Sequence, residues 1–413
     1  MFLKMVARSS SDSCCDQARL NVWVSGFFGR NNVGDEALLA SVLSNSPDWV
    51  LPTVLASAPG MQIQQIHRCR AVQEPPFDYR RGNYGLVYGA GFWLKSGFSY
   101  WLSRRRNSAM IVAGGGLLND HVAGRVVGIR DRIGAISRSG MHVALLGVGV
   151  DPLTEAPDRQ AAKELIDQVS YCSVRDSSSE ASLRDIGASP EQFQRGADLA
   201  YALPVNMNDT VAQPDHLRGA TVGLNLRPLF EFDRERGTQK RERRDQYARA
   251  CGELVKRLIP LVGELVLVPY NPQDVAFLRE VGGRSTRVLD FTPDPYETLA
   301  RVGRVNVMIG MRYHSLIFAA LRQIPFVPLV YGAKTAAFSD ELGIAWNALA
   351  VGDGTEMLDQ TLDPGAVIEH LQQLWESRLA FRNRCEAIVK AKRDVALNDI
   401  ARCLTTLSQF TRR

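Results

Sequence analysis

The stretch Val305–Lys334, VNVMIGMRYHSLIFAALRQIPFVPLVYGAK, restricts the fold more than any other part of the chain. Its apolar run Val305–Ile309, set between Gly303 and Gly310, has the length and composition of a buried strand. Arg312 and His314 follow at a turn, and Leu316, Ile317, Ala320 and Leu321 then recur at helical spacing. Pro325 ends that helix and opens a second buried run, Phe326–Val330, with Gly332 and Lys334 in the loop beyond. Strand, turn, helix and strand in this order make a βαβ unit of a parallel sheet. Ligands of such sheets bind outside the carboxyl ends of the strands. Arg312, His314 and Lys334 all fall on that edge, so three cationic or protonatable groups are expected around one anion-binding pocket.

The same alternation runs through the rest of the chain. In the first half, Asn21–Ser25 reads as a strand that enters GFFGRNNVGDEALLASVL. There Gly26, Gly29 and Gly34 punctuate a loop, Asp35 is a natural N-cap, and Leu38, Leu39, Val42 and Leu43 form a helix face. A glycine-rich loop feeding a helix N-terminus can hold an anion, but it is equally a tight strand-to-helix turn, and it is neither a Walker A nor a GxGxxG sequence. Further strands are expected at Thr53–Ser57, Leu86–Tyr88, Met110–Ala113, Val143–Val148 and Tyr171–Val174, with helices at Asp120–Ile136, Ala161–Val169 and Ser178–Ile186. A second series follows at Thr221–Leu226, Leu265–Pro269, Arg287–Phe291 and the two strands named above.

The expected fold is therefore α/β, with two Rossmann-like, doubly wound parallel-sheet domains facing a cleft. The expected order is a disordered polar tail (1–19), a first domain (20–204), a linker (205–219), a second domain (220–363) and C-terminal helices (364–413). The linker is recognised within Leu203–Gly219, LPVNMNDTVAQPDHLRG, by Pro, Asn, Asp and Gly without periodicity. The charged run FEFDRERGTQKRERRDQ reads first as a solvated loop and helix start, and otherwise as a loop that touches a phosphate-bearing acceptor.

Composition narrows the function classes. The 413 residues are 45% hydrophobic and 23% charged, which suits a globular chain with two cores. A net charge of +5 is compatible with an anionic substrate or an acidic membrane face, and no zinc-finger, RNA-binding or basic-zipper signature points to nucleic acid. Seven cysteines without a CxxC motif read as reduced thiols. No signal-peptide core and no apolar run of roughly 18 residues is present, so a cytoplasmic location is expected.

Among single residues, Arg175 and Arg227 stand at strand ends, where a guanidinium suits bidentate binding of carboxylate or phosphate. The plain alternative for Arg175 is an ion pair with Asp176 or Glu180. Gly114, Gly115 and Gly116, with Asn119 and Asp120, form another glycine-rich strand end that serves ligand contact or close packing. His67 and His121 read as structural. No His, Cys and carboxylate set has metal-ligand spacing, so neither metal nor cofactor is expected.

Five blocks in order carry a family likeness: GFFGRNNVGDEALL, IVAGGGLLND, LLGVGVDPL, SVRDSSSEASLRDIGA and MIGMRYHSLIFAALRQIPFVPLVYGAKTAAFSDELGI. Together they resemble the polysaccharide pyruvyl transferases over roughly Asn21 to Ile344, closest to the branch that modifies bacterial cell-wall sugars and capsular or exopolysaccharide repeat units. The resemblance implies a GT-B-like fold and transfer of a pyruvyl group from phosphoenolpyruvate to a glycan or lipid-linked sugar as a ketal. It implies catalytic roles for Arg175 of the VRD motif, His314 of the MRxH motif and Lys334 of the next loop. Tyr313 stands where the family more usually has leucine. Arg312 and Arg227 are expected to assist at the substrate, with Gly114–Gly116, and the loop holding Asn32, Gly34, Asp35 and Glu36 is expected to shape the acceptor side. Peripheral contact with the cytoplasmic membrane face would fit a lipid-linked acceptor, and the oligomeric state is left open. The competing readings are a nucleotide-sugar glycosyltransferase of the same fold and a non-catalytic homologue in a polysaccharide assembly complex.

Overall fold

The computed structural model describes residues 19–57, 60–73, 108–120, 124–206, 211–229, 238–284, 286–351 and 362–411. The expected strand Leu86–Tyr88 and His121 lie outside these residues, as do most of the N-terminal tail and the first part of the charged run.

The first sheet is built from β1 (Leu20–Ser25), β2 (Val50–Ala56), β3 (Arg70–Gln73), β4 (Ser108–Ala113), β5 (His142–Val148), β6 (Tyr171–Val174) and β7 (Gln194–Arg195). Its order is β3-β2-β1-β4-β5-β6-β7 and its pairs are parallel. Helices α1 (Val33–Ser44), α2 (Gly60–His67), α3 (Arg125–Arg138), α4 (Ala156–Gln168) and α5 (Ser177–Asp185) alternate with these strands. The second sheet contains β8 (Thr221–Asn225), β9 (Glu264–Leu267), β10 (Arg287–Val288), β11 (Val307–Gly310), β12 (Phe326–Val330) and β13 (Leu349–Ala350), in the order β10-β9-β8-β11-β12-β13. Its helices are α6 (Thr238–Leu258), α7 (Pro272–Gly282), α8 (Pro295–Val302), α9 (Tyr313–Leu321) and α10 (Ala333–Glu341). Strand order reverses beside β1 and β4 in one sheet and beside β8 and β11 in the other. Those are the points where a doubly wound sheet opens a ligand crevice.

β11 starts two residues later than its apolar run suggests. Val305 closes a turn by donating to the Val302 carbonyl (3.0 Å), and the Asn306 carboxamide accepts from the Thr221 N–H at 2.8 Å. α1 is buried on every side from Val33 to Val42 rather than on one face. It is held between the domains: the Val33 N–H donates to the Tyr270 carbonyl (3.2 Å), and Ser44 meets the Tyr296 hydroxyl at 2.8 Å. A helix enclosed on all sides needs no polar face.

The expected C-terminal helices are one helix, α11 (Pro364–Thr411), of 48 residues. No Gly or Pro follows Gly365 in it, so nothing in the backbone chemistry breaks it. α11 packs on β5 and β6 of the first sheet and on α6, α9 and β12 of the second domain. Its Asp399 accepts from Ser173 of β6 at 2.7 Å, and its Lys392 pairs with Glu341 of α10. One hydrophobic core runs through both domains, and a second lies between the first sheet and α3, α4 and α5.

Candidate active site

A cavity of about 340 Å³ opens at the carboxyl ends of the two sheets. Arg175, Asn32, Asp35 and the turn Gly114–Gly116 line it from the first domain, and Arg227, Arg312, His314 and Lys334 from the second. The sequence therefore placed its cations on the correct edge, and chain folding brings Arg175 and His314 together across the domain boundary.

His314 stands in the first turn of α9 between two buried acids. Its Nε2 is 3.5 Å from Asp198 Oδ1, which suits an ion pair but is too long for a good hydrogen bond, and Nε2 has no hydrogen-bond partner among the described residues. Asp198 also lies 3.6 Å from the Arg175 guanidinium and accepts from the Ala200 N–H at 3.0 Å. Burial alone would push the Asp198 carboxyl up, but His314, Arg175 and that N–H hold it below the usual range. Asp35 is different. Burial, reinforced by Glu36 and Asp198, raises its pKa to about 6 against the pull of His314.

Arg175 leaves the end of β6 with 4% exposure and donates through Nε to Asp176 at 3.0 Å. Its guanidinium lies 5.0 Å from the Tyr313 ring centroid. Burial opposes its charge, yet Tyr313, Asp198 and Asp176 together raise its pKa. Two glycines make room for this cluster. A β-carbon at Gly149 would lie 2.7 Å from the Arg175 guanidinium, and one at Gly34 would lie 1.9 Å from His314 Nδ1. Gly34 thus serves as the floor under the imidazole.

The second domain supplies a different set of cations. Arg312 binds Asp274 bidentately through Nε and Nη2, with Nε at 2.7 Å from Oδ2. Asp274 is fully buried, and its Oδ2 also accepts from the Tyr270 and Asn271 N–H groups. The Arg312 N–H donates to Asn225 Oδ1 at 2.9 Å. Arg227 and Lys334 have no carboxylate within 4.0 Å among the described residues and instead flank Tyr331: the Arg227 guanidinium carbon lies 4.7 Å and Lys334 Nζ 5.9 Å from its ring centroid. Burial would raise the Tyr331 phenol, but Lys334, Arg227 and Arg312 bring it down to about 8.

Two of the expected site residues do not line the cavity. Glu36 turns away from it, accepting from the Gly29 N–H at 2.7 Å and facing His67 at 3.3 Å, both side chains almost fully buried. A carboxylate one position after Asp35 on a helix points about 100° away, which is why the two part company. Gly34 supports His314 from below rather than facing the ligand space. Asp198, Asp274 and Tyr331 were missed by sequence reading. The far end of the cavity was missed too: Ile129 and Ile133 of α3, Met110 and Val112 of β4, with Arg30, Arg125 and Arg132 beside them. Among the described residues no three His, Cys, Asp or Glu side chains group to hold a metal ion.

A family model described as polysaccharide pyruvyl transferase matches residues 64–332. No curated protein matches the chain. Among solved structures, UDP-GlcNAc 2-epimerase from Neisseria meningitidis bound to UDP-GlcNAc has 10% identity and a TM-score of 0.55, covering 93% of this chain and 99% of its own. Anabaena HepE in complex with UDP and glucose has 12% identity and a TM-score of 0.57, covering 95% and 100%. The Methanocaldococcus jannaschii UDP-GlcNAc 2-epimerase, with UDP-GlcNAc and UDP, has 11% identity and a TM-score of 0.54, covering 90% and 98%. These likenesses establish the two-domain fold.

Proposed function

The chain belongs to the polysaccharide pyruvyl transferase family, and from that premise we propose that it transfers the pyruvyl group of phosphoenolpyruvate to two hydroxyls of one sugar, forming a ketal and releasing phosphate. The observation that carries this reading is the pair Arg227 and Lys334, which face a shared cavity with His314 and have no carboxylate partner among the described residues. Phosphoenolpyruvate brings a carboxylate and a phosphate, and so supplies the counter-charge this pair lacks.

In this scheme His314 gives a proton to C3 of the enol while the first sugar hydroxyl attacks C2. Lys334 and Arg227 hold the phosphate, and Arg175, across the cavity, binds the carboxylate and fixes C2 in line with the hydroxyl. Asp198 keeps a negative charge beside the imidazolium and Arg175, and so orients both. The acceptor, a sugar of a polysaccharide repeat unit or its lipid-linked precursor, enters from the side of the Gly26–Asp35 loop. No helix among the described residues is long and apolar enough to cross a membrane.

Phosphate release from phosphoenolpyruvate, screened against undecaprenyl-linked and nucleotide-linked sugars, tests the reading. An acceptor-dependent burst of phosphate, with a product heavier by the pyruvyl ketal, is expected. Release of a nucleoside diphosphate from a nucleotide sugar without phosphoenolpyruvate would instead favour the glycosyltransferase reading, which the two-domain likeness to UDP-bound structures keeps open.

A further inference from the structure

Ketal formation handles two hydroxyl protons, and His314 accounts for one cycle only. The first hydroxyl gives its own proton to the imidazole, replacing the one that stays on C3. The second hydroxyl also loses a proton, and the phosphate leaving C2 must gain one. Both events occur at C2, on the side of the phosphate that Lys334 and Arg227 hold in this scheme.

Tyr331 is the group placed there. It follows β12, lines the same cavity as His314, lies under the Arg227 guanidinium at 4.7 Å and stands 5.9 Å from Lys334 Nζ. The Arg227 charge also acts on its phenol. The two cations assigned above to the phosphate are thus the two that flank the Tyr331 ring, so a phosphate held by both lies against this side chain. We propose that Tyr331 is a catalytic residue whose hydroxyl protonates the departing phosphate and whose phenolate then takes the proton of the second sugar hydroxyl. This rests on the pyruvyl-transfer reading given above.

The step balances. The C2–O bond to phosphate breaks with its electron pair going to the oxygen, and the Tyr331 proton moves to that phosphate. The phenolate left behind is held by Arg227 and Lys334. As the second sugar oxygen bonds to C2, its proton returns to Tyr331, and the enzyme ends as it began. The cluster is built to tolerate the phenolate: against the effect of burial, Lys334, Arg227 and Arg312 bring the phenol down to about 8. In the free enzyme the phenolate form competes with phosphoenolpyruvate for the same cations, so binding takes up one proton above that pH.

Tyr331→Phe keeps the ring under Arg227 and removes only the hydroxyl, so it separates chemistry from packing. Calorimetric titration of phosphoenolpyruvate into the enzyme alone, from pH 6.5 to 9.5, is expected to show affinity falling about tenfold per pH unit above about 8 in the wild type. The same titration is expected to be flat in Tyr331→Phe. With the acceptor chosen by the phosphate-release screen, kcat is expected to drop on the order of 10²–10³-fold while KM for phosphoenolpyruvate at pH 7 stays within about threefold. A kcat within about threefold of wild type, or a limb near pH 8 that survives in Tyr331→Phe, overturns the role of Tyr331 and leaves the pyruvyl-transfer reading standing. A wild-type enzyme that neither binds phosphoenolpyruvate nor releases phosphate from it overturns that reading, and this inference with it.

Discussion

Of the cations that line the cavity, four at strand ends, Arg175, Arg227, Arg312 and Lys334, divide into two kinds. Arg175 and Arg312 are each matched by buried carboxylates, Asp176 and Asp198 for the first and Asp274 for the second. Arg227 and Lys334 have only the Tyr331 ring beside them. A matched guanidinium is held and oriented by its own carboxylates before any ligand arrives, as Arg175 is for the carboxylate assigned to it above. An unmatched one sits in a site that is incomplete until an anion enters. Position at a strand end is therefore a weaker guide to ligand binding than the presence or absence of a partner.

This contrast can be broken or sharpened by substitution. The largest expected effect is at the group between the two kinds. His314→Ala should lower phosphate release on the order of 10³-fold or more with an unchanged melting curve, since the ring is held by a long ion pair and not by the core. Full turnover in that variant would remove the general acid from the scheme. Asp274→Ala should act on stability instead: it leaves Arg312 buried and unpaired and removes the capping box of α7, destabilising by about 3–5 kcal/mol in denaturant unfolding. Arg227→Ala and Lys334→Ala should each weaken phosphoenolpyruvate binding about 10–100-fold in calorimetry while leaving the melting temperature close to wild type. If Arg312→Ala does the same, the division between matched and unmatched cations fails. The smallest expected effect is Gly34→Ala, which must push the His314 ring aside and should reduce kcat about tenfold without weakening phosphoenolpyruvate binding.

The amino-acid sequence made the sheets legible because their strands are short apolar runs closed by Gly or Pro, and it made the cations legible because they fall at strand ends. Arg175, Arg227, His314 and Lys334 all reach the cavity for that reason. What it hid are partnerships across long separations. Asp198 lies in an undistinguished ADLA stretch and gains meaning only when Arg175 and His314 arrive from separate domains. Asp274 reads as an ordinary first-turn acid of a helix, and nothing nearby announces Arg312, 38 residues on. Tyr331 falls just past a strand that reads as Phe326–Val330, and it gains meaning only when Arg227 is placed over it. Glu36 was misjudged for the converse reason: a motif letter adjacent to Asp35 was assumed to share its direction, although neighbours on a helix diverge. The single α11 was readable from the absence of Gly and Pro after Gly365, and its division into several helices had no support in the residues.

α11 also fixes a length. Lys392 grips the end of α10, the helix that begins beside Lys334, and Asp399 grips β6, the strand that ends at Arg175. The two anchors are seven positions apart on one continuous helix, about 10 Å along the axis. The two lobes are thereby tied at a fixed helical spacing, so any insertion or deletion between residues 392 and 399 would shift Arg175 relative to Lys334.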